Sequence, residues 1–531
     1  MTTLTGFGRI ARFILRRDRV RLMVWVVAIT LITLASAASL PAVYPTQRSV
    51  EGYVQLFGDN PALIAFAGPG YGFDDPNLGL VLVNETQLNA MIALALMSIF
   101  LVTRNTRAEE ESERADLVRA SVVGRHAPAA SAATVIGGAN LLVGLLCALG
   151  FIALDYEVTG SLALAGSLTC AGLVFAGIAA VAAQLTSTGR AALGIASSVL
   201  GVAFAVRAIG DVAGNGLSWL SPIGWAQATQ AYADERWWVL GLCLAAFIGL
   251  LQGAFWLSTR RDLGAGILPQ RLGSAHADRW MTRPVGFAFR LQRGALLGWA
   301  VALFLMGFLY GSIANDIEQL IEENAFAAEM FSAQGGASLT DQFLAVAVAQ
   351  LALVAGACGI ATALRLATEE AAGRAEPILA GPTPRSTWVG SHVVMAAAGS
   401  LVALVAAGFG AGLSYALVIG DPGQIPRLIG SALVTYPAVL VLTGVAVIFF
   451  GAFPSIAGAA WAALAVAFVT GYFGDLFKFP DWVRRISPFE HIPGLPAEDL
   501  AFLPPLLVAI VAAALIAFGA RAFRVRDLRA D

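Results

Sequence analysis

Residues 129–154 read AASAATVIGGANLLVGLLCALGFIAL, a run that contains no charged residue. A helix needs about 20 predominantly apolar residues to cross the hydrocarbon core of a bilayer. This run exceeds that length, and its alanines and leucines are good helix formers. The run therefore predicts a transmembrane helix.

Eleven further runs have the same character, so the sequence predicts an all-α polytopic membrane protein with twelve transmembrane helices. The predicted spans are residues 22–43, 86–103, 129–154, 161–186, 191–210, 237–257, 295–314, 342–364, 387–417, 428–452, 455–473 and 501–522. Of the 531 residues, 58% are hydrophobic and 13% are charged, whereas soluble domains have about 45–50% and about 25%. This composition excludes intrinsic disorder and argues against a soluble monomer.

The distribution of charge predicts the orientation of the chain. Twelve spans place both termini on one side, and arginine and lysine concentrate in cytoplasmic loops. With the N-terminus inside, the cytoplasmic segments hold 26 of the 33 basic residues and 13 of the 35 acidic ones. The net charge of -2 therefore divides into +13 inside and -15 outside. We expect both termini in the cytoplasm.

No cofactor or metal is expected in this chain. Lys478 is the only lysine, so the Gly-Lys-Ser/Thr triplet of a phosphate-binding P-loop cannot occur. The four cysteines lie within apolar runs and lack CxxC spacing, and the four histidines are far apart. These patterns do not predict a metal site.

The two halves of the sequence match at polar positions, which indicates an internal duplication. At an offset of 260 residues, Glu109-Glu110 matches Glu369-Glu370 and Arg125 matches Arg385. Each half has six spans, so the repeats are parallel and related by an axis along the membrane normal. The predicted parts are a first half at 1–257, a cytoplasmic connector at 258–293 and a second half at 294–531. Phe7, Ile10 and Ile14 predict an interfacial amphipathic helix before the first span.

The loops after spans two and eight are the strongest candidates for a docking function. Each continues an apolar helix into a polar stretch on the cytoplasmic side, and each ends at turn residues. The candidate residues are Glu109, Glu110, Arg114 and Asp116 in the first loop, and Glu369, Glu370, Arg374 and Glu376 in the second. The alternative is a solvated loop with helical charge pairs.

At this loop the sequence resembles a known family. Residues 369–382, Glu-Glu-x-x-x-Arg-x-Glu-Pro-Ile-Leu-x-x-Pro, are similar to the loop of ABC-2-type exporter permeases, whose usual form reads Glu-x-x-x-Gly-Thr-x-Glu-x-Leu-x-x-Pro. The usual Gly-Thr pair is Gly373-Arg374 here, and the first loop lacks the proline. The fused layout and the run at 219–225 resemble the tetronasin-type (polyketide-antibiotic) exporter group of actinobacteria.

The resemblance implies a fold and a set of partners. The fold would be the ABC-2 (type V exporter-like) permease fold, with each polar loop acting as a coupling helix. A separate ABC ATPase subunit, in two copies per chain, would bind ATP and Mg and supply the energy. The lipid bilayer and a hydrophobic small-molecule substrate are the other expected partners, and no nucleic acid is expected.

The segments at 211–236 and 475–500, on the outer side, mix aromatic residues, prolines and charges. In ABC-2 permeases short re-entrant helices occupy these places, so the resemblance implies an outer gate. The candidate residues are Trp219, Ser221, Pro222, Trp225, Trp482, Ser487 and Pro488. An aromatic belt at the membrane interface is the alternative.

We therefore expect the permease subunit of an exporter of antibiotics, other drugs or lipids in a bacterial cell membrane. The chain would not be an enzyme itself. Charged residues are nearly absent from the interior of the spans, which argues against proton or sodium coupling. The rivals are a proton-coupled twelve-helix secondary drug transporter and a membrane-embedded lipid-modifying enzyme.

Overall fold

The computed structural model describes residues 3–58, 61–112, 122–262, 264–268, 276–314, 338–473 and 480–528. These residues form helices and turns, without a strand among them. Twelve helices are long and apolar enough to cross a membrane, which confirms the predicted all-α polytopic membrane protein. We number them spans 1–12: Arg19–Val43, Leu78–Glu111, Ala127–Ala153, Val158–Leu185, Gly189–Val212, Trp238–Ser258, Pro284–Ile313, Leu339–Ala371, Arg385–Ile419, Gln424–Ala452, Pro454–Gly471 and Leu503–Val525.

The chain divides into two compact units, Met1–Gly273 and Ser274–Asp531, with six spans in each. Span 7 begins at Pro284, well before residue 294, where the sequence places the start of the second half. Proline is favoured at the first helical position because that position needs no backbone donor. The last part of the predicted connector is therefore helical and continuous with span 7.

Spans 2 and 4 are the most buried helices of the first unit. Polar side chains join them to their neighbours: Asn140 Nδ2 on span 3 donates to Ser98 Oγ on span 2 (2.9 Å), and Gln87 Nε2 on span 2 donates to Ser167 Oγ on span 4 (2.9 Å). Without a hydrophobic driving force inside a bilayer, such bonds and close packing hold helices together.

The second unit relies on close backbone contact at glycines. A Cβ added at Gly307 on span 7 would lie 2.1 Å from the carbonyl oxygen of Ala407 on span 9. A Cβ at Gly451 on span 10 would lie 2.1 Å from the carbonyl oxygen of Gly519 on span 12. These pairs of helices can approach so closely only because the side chain is absent.

Two further features concern the N-terminal helix and span 10. The N-terminal helix Phe7–Arg17 packs against span 3 and buries Ile14. Span 10 is divided at Thr435, between the helices Gln424–Val434 and Tyr436–Ala452, because Pro437 favours the first turn of a new helix.

Candidate functional site

The end of span 2 carries the first predicted coupling segment. The helix Leu78–Asn105 is followed, after a break, by a short helix at Arg107–Glu111. The side chain of Arg107 is fully buried, and its Nη1 pairs with Glu110 Oε2 at 2.9 Å. Its Nε donates to the carbonyl oxygen of Ala183 (2.9 Å), so the segment is fixed to the end of span 4.

Glu110 is also held by an arginine that follows span 6. Arg261 donates from Nη2 and Nη1 to Oε1 and Oε2 of Glu110, both at 2.8 Å. Bidentate pairs of this kind are the strongest of the common side-chain hydrogen bonds. Arg261 Nε donates in addition to Gln184 Oε1 at 2.8 Å, on the last turn of span 4. Arg261 thus joins the ends of spans 2, 4 and 6.

The second unit repeats this arrangement. Arg526, directly after span 12, donates from Nη1 and Nη2 to Oε1 and Oε2 of Glu370 at 2.7 and 2.6 Å. Its Nε donates to the carbonyl oxygen of Gly451 at the end of span 10 (3.1 Å). The guanidinium also lies over the ring of Phe450, 5.2 Å from its centroid. Arg526 thus joins the ends of spans 8, 10 and 12.

We call each of these pairs, Glu110 with Arg261 and Glu370 with Arg526, an arginine clamp. A further arginine supports the backbone beside each clamp. Arg125 donates to the carbonyl oxygen of Ser258 (2.6 Å), and its repeat partner Arg385 donates to the carbonyl oxygen of Arg526 (2.6 Å). The duplication seen in the sequence is therefore present in the contacts as well.

Sequence reasoning missed Arg261 and Arg526. The tripeptide Arg-Asp-Leu occurs at 261–263 and again at 526–528, each time shortly after the last apolar run of a half. That match could have identified both arginines as repeat partners. It could not have identified the glutamates that these arginines bind, because Glu110 lies 151 positions before Arg261 and Glu370 lies 156 positions before Arg526.

The neighbouring glutamates of the two loops pair with different cations. Glu109 Oε1 lies 2.8 Å from Nη1 of Arg17, at the end of the N-terminal helix. Glu369 instead pairs with Arg365 (2.7 Å) and with Arg374 (2.7 Å) within its own segment. Only the first unit therefore connects this loop to its N-terminal helix through a glutamate among the described residues.

A buried carboxylate reinforces that connection in the first unit. Asp18 is fully buried and accepts hydrogen bonds from Asn105 Nδ2 (3.0 Å), Arg104 Nε (3.1 Å) and Arg21 Nη1 (2.9 Å). Burial by itself would raise the pKa of Asp18, but the bonds from Asn105, Arg104 and Arg21 outweigh it and lower the pKa below its ordinary value. Asp18 is therefore a stable anion that fixes the start of span 1 to the end of span 2.

The second unit has neutral groups in the corresponding place. Arg19 and Arg293 each lie six residues before a tryptophan, Trp25 and Trp299. This match aligns Asp18 with Gln292, which is buried. The Gln292 side-chain amide lies 3.2 Å from Nδ1 of His392 on span 9. The two loops therefore share the arginine clamp and differ in how their first spans are attached.

The candidate coupling residues fall into two groups by exposure. Glu369 and Glu370 are buried, and Glu110 is largely buried, so their carboxylates face other parts of this chain. The side chain of Arg374 is 51% exposed, and Glu376 is exposed on the short helix Ala375–Leu379. Arg114 and Asp116 lie outside the described residues. Among the described candidates of the second loop, Arg374 and Glu376 are accessible to a partner.

The outer segment of the first unit folds back along the helices. Ser221 Oγ accepts from the backbone N–H of Ile223 (3.2 Å) and caps a helix at Pro222–Gln227. Trp225 packs against the cluster that contains Cys243, which lies about 8 Å inside the start of span 6. Trp219 instead stacks on Trp238 at the start of that span, with ring centroids 5.7 Å apart.

The second unit differs at the matching residues. Ser487 is buried but does not cap the turn Pro488–His491 with its side chain. Trp482 is 70% exposed, on the short helix Asp481–Arg484. The structure therefore brings Ser221, Pro222 and Trp225 together with spans 4 and 6, whereas Trp482 projects away from the helices of its own unit.

Comparison with known proteins identifies relatives of the whole chain. A family model described as the C-terminal domain of the multidrug efflux system permease Rv1217c matches residues 281–524. The chain is also 40% identical to the multidrug efflux system permease protein Rv1217c of Mycobacterium tuberculosis. That alignment covers 99% of this chain and 96% of the relative.

Proposed function

Because the chain belongs to the multidrug efflux permease family, we propose that it is the transmembrane subunit of an ATP-driven ABC exporter. It is a multi-pass membrane protein, and the proposed cargo is a hydrophobic or amphipathic drug or antibiotic. The proposed location is the bacterial cell membrane with both termini in the cytoplasm. The loop at 369–382 favours the ABC-2 type, and the narrower tetronasin-type grouping rests on the fused layout and the run at 219–225.

The arginine clamp, present in both units, is the observation that carries this proposal. A dimeric ATPase has two equivalent surfaces, so a permease driven by it needs two equivalent coupling segments. Glu110 and Glu370 occupy matching positions and are held by matching arginines, Arg261 and Arg526. A solvated loop with local charge pairs would not require this repeated long-range attachment.

The clamp explains how a push on the loop would reach the membrane. Each clamp arginine follows one span and bonds to groups at the ends of two others. A buried bidentate pair resists separation because each ion would be left unpaired in a poorly solvated place. ATP-driven closure of the partner would therefore move the ends of the three spans together and change access from the inner to the outer side.

The outer segment of the first unit is the proposed gate. Trp225 and the helix Pro222–Gln227 pack against spans 4 and 6 beside Cys243, about 8 Å inside the start of span 6. Irregular backbone at membrane depth is tolerated where protein surrounds it. Trp219 and Trp482 fit the interfacial belt better, so the predicted gate residues divide between the two roles.

A proton-coupled carrier is the second candidate, and Glu85 favours it. This carboxylate lies within span 2, and the hydroxyl of Tyr44 donates to its Oε1 at 3.3 Å. Ionisable groups within spans often mark proton relays. The energy source therefore has to be tested together with the partner.

We expect the tagged chain, purified from its native membrane, to retain about two copies of an ABC ATPase, one per coupling segment. Quantitative mass spectrometry of the purified complex gives the ratio. Drug uptake into inside-out vesicles should require ATP and persist when a protonophore removes the proton gradient. Absence of an ATPase, with transport that a protonophore abolishes, would establish the carrier instead.

Arg374→Glu should uncouple hydrolysis from export. Arg374 is exposed, so its ion pair with Glu369 contributes at most about 1 kcal/mol and the fold should survive. We expect drug transport to fall about tenfold or more, while ATP hydrolysis and the amount of bound ATPase stay near wild type. Arg427→Glu is the matched control, because Arg427 forms an exposed pair with Asp341 away from the coupling segment. Equal transport by both variants would remove Arg374 from the coupling role.

A further inference from the structure

An apolar groove runs between spans 4 and 6 of the first unit. Its volume is about 540 Å³, and its lining includes Val174, Val181, Trp225, Gly249, Gly253 and Trp256. This volume lies within the range of about 300–1,000 Å³ typical of small-molecule sites. The groove opens to one side rather than being enclosed, and both of its helices are membrane spans.

The groove has the length of one leaflet. Its lining residues on span 6 extend from Ala246 to Leu257, and the spacing of three or four places them on one face of the helix. Eleven residues of helix cover roughly 16 Å, about half of the 30 Å hydrocarbon core. Trp225 closes the groove towards the middle of the membrane, and Trp256 marks its other end.

A cation lies at the end of the groove that Trp256 marks. The Arg260 guanidinium stacks over the ring of Trp256, with Cζ 3.8 Å from the centroid. Arg260 is exposed, and within the described part of the chain it forms no ion pair with a carboxylate. Arg125 lies on the same side, bonded to the carbonyl oxygen of Ser258. A molecule in the groove would therefore meet positive charge at this end.

We propose that this groove binds an anionic phospholipid, with one acyl chain along the groove and the phosphate at Arg260. The apolar lining matches the chain, the length matches one leaflet, and the unpaired guanidinium matches an anionic headgroup. A neutral drug would bind in the groove without contacting Arg260. The proposal does not require that an ATPase binds this chain.

The glycines of span 6 allow the groove to be filled without disturbing the fold. A Cβ added at Gly249 or Gly253 would meet no atom within 4 Å. The same is true of Gly241, which lies on the same helix but does not line the groove. Gly249→Leu with Gly253→Leu therefore tests occupancy, and Gly241→Leu controls for the change in helix propensity and apolarity.

The experiment is native mass spectrometry of the full chain in detergent, titrated with phosphatidylglycerol or with phosphatidylcholine of the same acyl chains. Each buried methylene of the acyl chain contributes about a factor of four in affinity. If the two leucines displace two of these methylenes, the double variant should bind phosphatidylglycerol about fifteenfold more weakly. Gly241→Leu should bind it as wild type does. Arg260→Gln should lose the preference for phosphatidylglycerol, which is about fivefold for one arginine.

Three results would overturn the proposal. The double leucine variant could retain phosphatidylglycerol as well as Gly241→Leu does. The wild-type chain could bind the two lipids equally. A neutral hydrophobic dye could displace the bound lipid with equal potency from the wild type and from Arg260→Gln, which would assign the groove to cargo. Melting temperatures of all variants, measured in the same detergent, ensure that lost binding is not lost fold.

Discussion

Arg526→Gln is expected to abolish drug export and to destabilise the second unit. The substitution removes both Nη donors from Glu370, whose carboxylate is buried and would lose the bidentate pair with this arginine. Breaking one partner of a buried ion pair costs about 3–5 kcal/mol. Even a third of that cost would shift the conformational equilibrium of the transporter about tenfold. Export into inside-out vesicles should therefore fall at least tenfold, and the melting temperature should fall with it.

Three further variants separate the clamp from a general loss of charge. Arg524→Gln removes an exposed arginine from the same helix end and should export normally. Glu370→Arg combined with Arg526→Glu restores opposite charges across the pair and should recover part of the lost export. Arg526→Lys keeps the charge but not the bidentate geometry, so intermediate export is expected. Normal export by Arg526→Gln, at normal abundance in the membrane, would show that the clamp has no role in transport.

Asp18→Ala is expected to have the second largest effect, on the stability of the first unit. The carboxylate accepts hydrogen bonds from Arg104, Asn105 and Arg21, and its removal leaves like charges without an anion between them. Because Arg104 and Arg21 are partly exposed, the main loss is the hydrogen bond to buried Asn105, which costs about 1–3 kcal/mol. Thermal unfolding in detergent should show the loss, and protease should cut the N-terminal helix Phe7–Arg17 more readily.

The pH dependence of stability provides an independent check on Asp18. Because the pKa of Asp18 is lower in the folded chain than the unfolded value of about 3.9, its stabilisation is fully present above that value. It is lost as the pH falls through the folded pKa. Asp18→Ala should lack this acid-dependent part, whereas Arg21→Gln should keep it and cost at most about 1 kcal/mol, since Arg21 is 53% exposed. An unchanged acid response in Asp18→Ala would contradict the assigned network.

The spans were predictable because their signal is local. Residues 129–154 contain no charged residue, and the helix Ala127–Ala153 has nearly the same bounds. The start of span 7 at Pro284 was not predictable from apolar composition, because Arg290 and Arg293 interrupt the apolar pattern while the helix continues. A helix that extends beyond the bilayer keeps its backbone hydrogen bonds, but its residues there are no longer apolar.

The candidate site was predictable only in part. The polar matches between the loops identified Glu110 and Glu370 as important positions, but they indicated contact with another protein. Both carboxylates are instead directed at arginines of this chain. The sequence shows where charged residues occur. Whether a charged side chain is buried, and which residue it pairs with, depends on which distant segments pack beside it.

The sequence by itself determined that the protein is a helical membrane protein with a duplicated set of six spans, because length, apolarity and repeated polar positions are properties of consecutive residues. Only the tertiary structure decided that Arg261 and Arg526 clamp the two predicted coupling segments, that Asp18 is a buried anion, and that a groove lies between spans 4 and 6. The physical reason is that an ion pair or a groove is made by residues from separate helices. Their distances are set by packing between spans and leave no periodic signal along the chain.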